Sequence, residues 1–361
     1  MKIKVTENLK SFVGDITGLN ARVPSYYEPN LDRWKDIAVR LHDNNLVIGG
    51  GGVDAIMFRK VPIDGKAENF SCSVDKKRFF ETVKFFGKDF SMENEENTYL
   101  RLSKSKKTIR LSFSLPDPTI QSLLDKSFDY FGKTEGHRLR IDPEDFDRAR
   151  QYTSADRSRV SLLNVSLKGD KMRATDGHAM CYIEMKDPVE NDVLITQYSP
   201  INFNFDTYLY DIKGFYVFAN DDTVVFQSKI ESVFPNVERL VEQIEGDPIE
   251  FKKKDMLYTL RFLSGMGDGG ADIKIEKDRA IIHYVDTYGS GIQDQAGDIV
   301  ELTNKAGIEQ HLRFNLALII KVIKNLSFET VKFFIPQEYG KPCYIKEKNN
   351  IYIIMPMDKG E

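Results

Sequence analysis

The chain has 361 residues, 41% of them hydrophobic and 29% charged, with a net charge of -4. This balance describes a globular chain of two or three domains and argues against low-complexity, collagen-like or membrane-spanning architecture, since the longest apolar run, Leu316 to Ile323, is broken by Lys321. The acidic total speaks only weakly against nucleic acid, because the distribution of charge over faces matters more than its sum. Cys72, Cys181 and Cys343 stand far apart with no C-x-x-C or Cys/His pairing, so neither a disulfide frame nor a zinc site is expected. Met1 to Val5 alternates charge with apolar residues instead of opening a signal peptide, and a cytoplasmic, unprocessed chain is the expectation.

In chain order, "KIKVT" from Lys2 reads as a strand leading into a helix, and "VRLHDNNLVI" at Val39 as a hairpin. "IGGGGVD" at Ile48 to Asp54 lacks the lysine and hydroxyl of a phosphate loop and reads as a flexible or bulged strand. "VDKKRFFETVKFF" sets Val74, Phe79, Phe80, Val83 and Phe86 on a helical stripe that Gly87 stops. A second hairpin from Tyr99 runs into Pro116, and Asp117 to Gly136 is a long connector.

The order then repeats. "HRLRID" from His137 opens a strand and an acidic first turn at Pro143, and "VSLKGDKMRA" at Val165 is a predicted hairpin. "SPINFNFDTYLYDIKG" offers a truncated helix or a loop where a second helix belongs. A hairpin from Phe215 ends at Pro235, and Glu238 to Asp247 connects to a third round. There "PIEFKK" from Pro248 leads into a helix, "GMGDGG" at Gly265 caps it, and "IKIEKDRAII" at Ile273 is a hairpin. A helix follows on Phe314, Ile319, Ile320, Ile323 and Leu326, then a strand from Thr330 to Ile335, and a closing hairpin from Cys343 into Pro356.

Three landmarks in one order in three segments predict an α+β chain of three tandem similar domains, 1–131, 132–246 and 247–361, the middle one with its second helix truncated or absent. The heptapeptide "FETVKFF", present at Phe80 to Phe86 and at Phe328 to Phe334, is not the mark of this repeat. The stripes beginning at Val74 and Phe314 match position for position, and the heptapeptide copies lie out of that register. The first copy reads as helix and the second as strand.

No catalytic pattern is complete. Asp176 and His178 in "RATDGHAM" could begin a metal or acid-base site, but no second cluster has compatible spacing, and an aspartate before glycine is an ordinary turn device. Neither metal nor cofactor is expected. Basic residues recur on the predicted helices: Lys76, Lys77, Arg78 and Lys84; Arg148 and Arg150; Lys252, Lys253, Lys254 and Arg261; Lys321 and Lys324. On one helix this is a solvated face suited to the dipole. Across a repeated unit it suggests a shared positive surface that holds phosphates without reading bases.

"RATDGHAMCYIEM" at Arg173, "VFPNVERLV" at Val233 and the terminal "NIYIIMPM" at Asn350 together resemble signature segments of the bacterial DNA polymerase III β subunit, the sliding clamp. The resemblance implies a non-enzymatic processivity factor: a head-to-tail homodimeric ring around duplex DNA, helices lining the hole and antiparallel sheets outside. Its partners would be DNA polymerase and the clamp loader, with no membrane and no cofactor. A decoy module that binds polymerase peptides without closing on DNA is the alternative.

The implied partner-peptide pocket is lined by Leu163, Thr175, Gly177, His178, Ala179, Met180, Pro235, Arg239, Leu240, Asn315, Leu318, Ile353, Met355, Pro356 and Met357. Ala179 and Met180 replace the family's usual arginine and leucine, and Asp358 to Glu361 add charge beyond Met-Pro-Met, which implies a changed peptide preference. The resemblance also pairs Phe262 and Leu263 with the strand carrying Ile109, Leu111 and Phe113 in a second copy. Membership of the internal core is the open alternative for Phe262 and Leu263.

Overall fold

The computed structural model describes residues 2–6, 9, 36–42, 45–52, 54–64, 69–156, 158–201, 203, 206–242, 244, 247–286, 296–305, 307–338 and 340–357. The helix expected after the first strand and the tail at 358–361 lie outside these residues. The described chain forms two compact units, one of residues 1–143 and 198–231, the other of 144–197 and 232–361.

The first stretch contains strands β1 (Lys2–Val5), β2 (Asp36–His42), β3 (Asn45–Gly51), β4 (Ala55–Asp64) and β5 (Phe70–Asp75), helix α1 (Lys76–Phe86), and strands β6 (Phe90–Glu95), β7 (Tyr99–Lys104) and β8 (Lys107–Ser114). Helix α2 (Pro118–Ser127), strand β9 (His137–Leu139) and helix α3 (Pro143–Arg150) follow. Next come β10 (Asn164–Thr175), β11 (Ala179–Thr196), β12 (Thr207–Ile212), β13 (Phe215–Ala219), β14 (Thr223–Ser228) and the short helix α4 (Glu238–Val241). The last stretch holds β15 (Ile249–Lys252), α5 (Lys253–Ser264), β16 (Gly270–Ile275), β17 (Arg279–Val285), β18 (Gly297–Asn304), β19 (Gln310–Asn315), α6 (Leu316–Lys324), β20 (Thr330–Phe334), β21 (Cys343–Glu347) and β22 (Asn350–Ile354).

Strand pairing repeats between the first and last stretches. β1 pairs with β4 and β6, β2 with β3 and β5, β3 with β4, β6 with β7, and β7 with β8. The same seven antiparallel pairings recur as β15 with β18 and β20, β16 with β17 and β19, β17 with β18, β20 with β21, and β21 with β22. The helix starts match as well. Asp75 caps α1 by accepting from the Arg78 amide, and Asn315 caps α6 by accepting from the Leu318 amide. Val74 and Phe314, read from sequence as the first residues of helical stripes, are instead the buried ends of β5 and β19.

Each unit extends its sheet through one further pairing. In the first unit the last hairpin strand β14 lies antiparallel against β4, Val225 opposite Met57. In the second, β22 lies antiparallel against β11, Ile353 opposite Met180. The β4–β14 seam is covered by α2, whose Ile120, Leu123 and Leu124 join Ile56, Phe58, Val224 and Phe226 in one buried cluster. Each such side chain contributes about 1.5–3 kcal/mol. The connector expected over 117–136 is therefore a helix with a packing task, started by Asp117, whose carboxylate accepts from the Thr119 and Ile120 amides. The glycine run in β3 has a packing reason as well: a Cβ on Gly49 would lie 2.0 Å from the Phe58 ring.

The middle stretch departs from the sequence reading at its closing strand. Residues 164–175 do fold back as the expected hairpin, turning at Gly169 (φ 54) so that Arg173 reaches Ser166 at 2.7 Å, and its outer edges pair with Val193 to Thr196 on one side and Met180 to Glu184 on the other. β14 stops at Ser228, well before Pro235, so that proline is not what ends it. Among the described residues no helix occurs between β11 and β12.

Lys76, at the start of α1, is 8% exposed, and its ammonium has no hydrogen-bond partner among the described residues. Burial lowers its pKa from 10.5 to about 8, against the opposing pull of Asp36. Between those values the unfolded chain holds a proton that the folded chain has released, so stability rises with pH across the window. The urea midpoint of the native chain should gain a rising component between about pH 8 and about pH 10. Lys76→Met should remove it; equal pH slopes for both proteins would contradict the assignment.

Candidate functional site

The "TDGH" stretch is a tightly bonded turn between β10 and β11. The Thr175 hydroxyl accepts from the Gly177 amide at 3.0 Å and donates to the Ala179 carbonyl at 2.8 Å. Asp176 Oδ1 accepts from the amides of His178 and Ala179 at 2.9 and 2.8 Å. Its other oxygen, Oδ2, accepts from Lys321 Nζ on α6 at 2.8 Å. Burial pushes this carboxyl up, but the Lys321 hydrogen bond, the turn amides and the Lys321 charge outweigh it and hold the pKa below the ordinary carboxylate value. Gly177 sits at φ 94, in the left-handed region, and a Cβ there would come within 2.8 Å of the Arg159 guanidinium. Asp176 is thus committed to the turn, and no group of three potential metal ligands occurs among the described residues.

The other segments come to this turn by backbone and side-chain bonds. The Met355 amide donates to the His178 carbonyl at 2.8 Å, continuing the β11–β22 pairing past its end, and the Met357 amide donates to the Arg313 carbonyl of β19 at 2.7 Å. Helix α6 brings Asn315 and Leu318 in its first turn and Lys321 one turn later. The Phe-Pro segment is tied down from β10: Arg173, 2% exposed, donates to Glu238 at 2.6 Å and to Ser166 at 2.7 Å and stacks over Phe234 at 5.2 Å. Leu163 ends a 3-10 turn, Val160–Leu163, and its carbonyl accepts from the Gln197 amide.

Of the residues expected to line a pocket, Thr175, Ala179, Met180 and Ile353 are buried and supply floor and strand pairing. Leu163, Leu240, Asn315, Leu318, Met355, Pro356 and Met357 are half-buried, and Gly177, His178, Pro235 and Arg239 are exposed. Apolar side chains with two flexible methionines, edged by a histidine and an arginine, suit capture of a short apolar peptide.

The basic candidates divide sharply. Lys77, Arg78, Lys84, Lys252, Lys254, Arg261 and Lys324 are exposed. Four others have internal partners and a fifth, Lys76, is buried, and that corrects the expectation that all twelve face a common ligand. Lys76 is buried beside Asp36. Arg148 donates to Asp145, Tyr352 and Ser327 and lies 3.6 Å from Glu347. Arg150 donates to the Gln197 carbonyl and to Asp147 and stacks on Phe146. Lys253 donates to the Leu326 carbonyl, and burial lowers its pKa. Lys321 bonds Asp176 and lies over the Tyr152 ring.

β8 and β18 each have an edge that is only partly paired. β8 pairs with β7 along its length, but with β5 only through Phe113 and Ser114. β18 pairs with β17 over Gly297 to Glu301, but with β15 only over Leu302 to Asn304. Among the described residues no strand fills the rest of either edge. Ile109 and Phe113 are half-buried on β8, and Leu111 is buried. Near β8 stand exposed Leu115, Tyr99 and Phe85, the last with Lys107 over its ring. Beside β18 an open groove is lined by exposed Tyr258, Phe262, Ile299 and Phe328. Phe262 is 54% exposed and Leu263 0%, so the predicted interface pair splits, Leu263 facing the core of its own chain.

Tyr258, Ile299, Phe85 and the Lys321–Asp176 and Arg173–Glu238 bonds escape sequence reading. The aromatic residues on α1 and α5 had a signal, lying off the apolar stripe; the two ion pairs join positions far apart in the chain and had none. An enclosed apolar void in the last stretch, between Ile249, Met256 and Ile323, measures about 10 Å³ and admits no ligand.

No family model and no curated protein sequence matches the chain. Solved structures do. The DNA polymerase III β subunit of Thermotoga maritima matches with a TM-score of 0.78 at 16% identity, covering 99% of this chain and 100% of that one. A putative DNA polymerase III β subunit from Eubacterium rectale matches with a TM-score of 0.77 at 16% identity over the same shares. The Helicobacter pylori β clamp bound to a DNA ligase peptide matches with a TM-score of 0.78 at 14% identity, again over 99% and 100%. The chain has the α+β fold of antiparallel sheets found in bacterial sliding clamps, at low sequence identity.

Leu263→Ala should cost about 2–5 kcal/mol of stability, as a truncation in a packed core does. That loss, read from urea unfolding, should persist unchanged on dilution of the protein. A loss that vanishes on dilution would return Leu263 to an interface.

Proposed function

We propose that this protein is a DNA polymerase processivity factor: two chains closing head to tail into a ring around duplex DNA, holding polymerase and clamp loader by short apolar peptides. The ring is built from the domains 1–131, 132–246 and 247–361, and it performs no chemical step. It works in the cytoplasm, where its DNA is.

The observation that carries this reading is the unfilled pairing. The last strand of the middle repeat, β14, pairs with the fourth strand of the first, β4; the last strand of the third, β22, pairs with β11 of the second. By the same rule β8, the last strand of the first repeat, should take β18, the fourth strand of the third. Both edges are open and both are flanked by exposed apolar side chains. If β8 of each copy meets β18 of the other, two identical junctions close a ring and pair both of these edges. The whole-length match to sliding clamps supports the same arrangement.

Lys77, Arg78, Lys84, Lys252, Lys254, Arg261 and Lys324 are the residues assigned to the DNA. Few and exposed, they give weak, sequence-independent contacts that permit sliding, and the topology of the ring supplies retention. The pocket around Leu318, Leu240, Met355 and Met357 takes the partner peptide; a β clamp of this fold is seen with a DNA ligase peptide. The internal bonds of Arg148 and Arg150 remove both cations expected on the helix of the middle repeat, and this favours the second reading of a peptide-binding module that does not encircle DNA.

One experiment separates them. The protein is loaded on nicked circular DNA by a clamp loader, and the circle is then linearised. A ring is retained on the circle and lost from the linear form; a module that never closes is retained on neither. For the junction itself, Ile299→Asp puts a charge on the β18 edge and should shift sedimentation from two chains to one. An unchanged two-chain species would remove β18 from the interface.

A further inference from the structure

We propose that Lys321 is a positioning residue of the peptide site, which locks helix α6 to the Thr175–Ala179 turn and so sets the distance between the two walls that grip a partner peptide. The proposal rests on the peptide-site reading above. By sequence Lys321 belongs with the basic residues of a DNA-facing helix, and the geometry assigns it elsewhere.

The bond is placed to do this. Asp176 divides its two oxygens: Oδ1 holds the turn through the His178 and Ala179 amides, and Oδ2 takes Lys321 Nζ at 2.8 Å. The turn is bonded within itself, and among the described residues this ion pair is its side-chain tie to α6. α6 in turn carries Asn315 and Leu318 on its first turn, so a helix displaced relative to Asp176 takes those two residues with it. On the far side the turn is tied to the C-terminal wall, because the His178 carbonyl accepts the Met355 amide at 2.8 Å. Lys321 thus closes a chain of contacts from Leu318 through Asp176 and His178 to Met355.

The pair is also shielded. The Lys321 and Asp176 side chains are 26% and 19% exposed, and the ammonium lies 5.4 Å from the centre of the Tyr152 ring, itself fully buried. A charge-assisted hydrogen bond in that setting is stronger and more directional than a surface ion pair. Arg148, Glu347 and Tyr352 form a separate bonded group, so they do not offer Asp176 a replacement cation.

Lys321→Met keeps the stem over Tyr152 and removes the charge; Lys321→Arg restores it; Asp176→Asn keeps an acceptor for the turn amides and loses the ion pair. Two readouts are used on each full-length protein. The first is hydrogen exchange of the 177–180 amides, which needs no ligand. Lys321→Met should accelerate exchange there with little change in β16 and β17, and Lys321→Arg should restore protection. The second is binding of the DNA ligase peptide seen on the Helicobacter pylori clamp, with affinity expected to fall about tenfold in Lys321→Met and in Asp176→Asn and to recover in Lys321→Arg. Unchanged exchange at 177–180 in Lys321→Met would overturn the proposal whatever the peptide does. A weaker, less salt-dependent hold on DNA, with exchange and peptide affinity intact, would return Lys321 to the DNA face. Met355→Ala and Leu318→Ala test the site itself: a peptide that binds both as well as the native chain, or binds none of the proteins, counts against the site reading and leaves the exchange result to judge Lys321.

Discussion

The architecture depends on what the backbone does at the end of a repeat. A strand edge exposes a row of amides and carbonyls that must find partners, and in this chain the closing strand of one repeat finds them on the fourth strand of the one before it. That happens at β14 against β4 and again at β22 against the first part of β11, which follows the two strands of the 164–175 hairpin. The rule uses every closing strand but one. Among the described residues β8 and β18 are left without such a strand, and in the proposed ring two copies supply it to each other.

Surface chemistry agrees with that accounting. The exposed large apolar residues are not scattered. Phe85, Tyr99 and Leu115 accompany β8; Tyr258, Phe262, Ile299 and Phe328 accompany the groove at β18; Val160 and Val233 adjoin the segments that carry Leu163 and Pro235. Each group lies at a proposed contact. The net charge of -4 is no obstacle, because the seven exposed cations assigned to DNA lie on or beside three helices, and a ring needs only that its inner side be positive.

Much of this was legible in the sequence where local chemistry decides. The caps Asp75 and Asn315, the stripe of Phe79, Val83 and Phe86, and the hairpins at Tyr99 and Cys343 follow from short-range rules, and the second "FETVKFF" is the strand β20 that its flanks required. Long-range pairing was not legible. Residues 165–174 read as a hairpin and fold as one, but nothing local says that its two outer edges take Val193 to Thr196 and Met180 to Glu184 of β11. Residues 117–136 look like a connector, yet the Ile120–Leu124 face packs on a seam that exists only after β14 meets β4. The cations misled most. Lysines and arginines at helical spacing announce a positive face, but Arg148, Arg150, Lys253 and Lys321 find acceptors from remote segments, and only the fold can reveal those.

The central claim is that the open edges of β8 and β18 complete each other between two copies. Electron-microscopy class averages of the purified chain test it most directly. The account predicts closed rings of two chains with a central hole wide enough for duplex DNA. Single chains, or open assemblies that grow without closing, would contradict it.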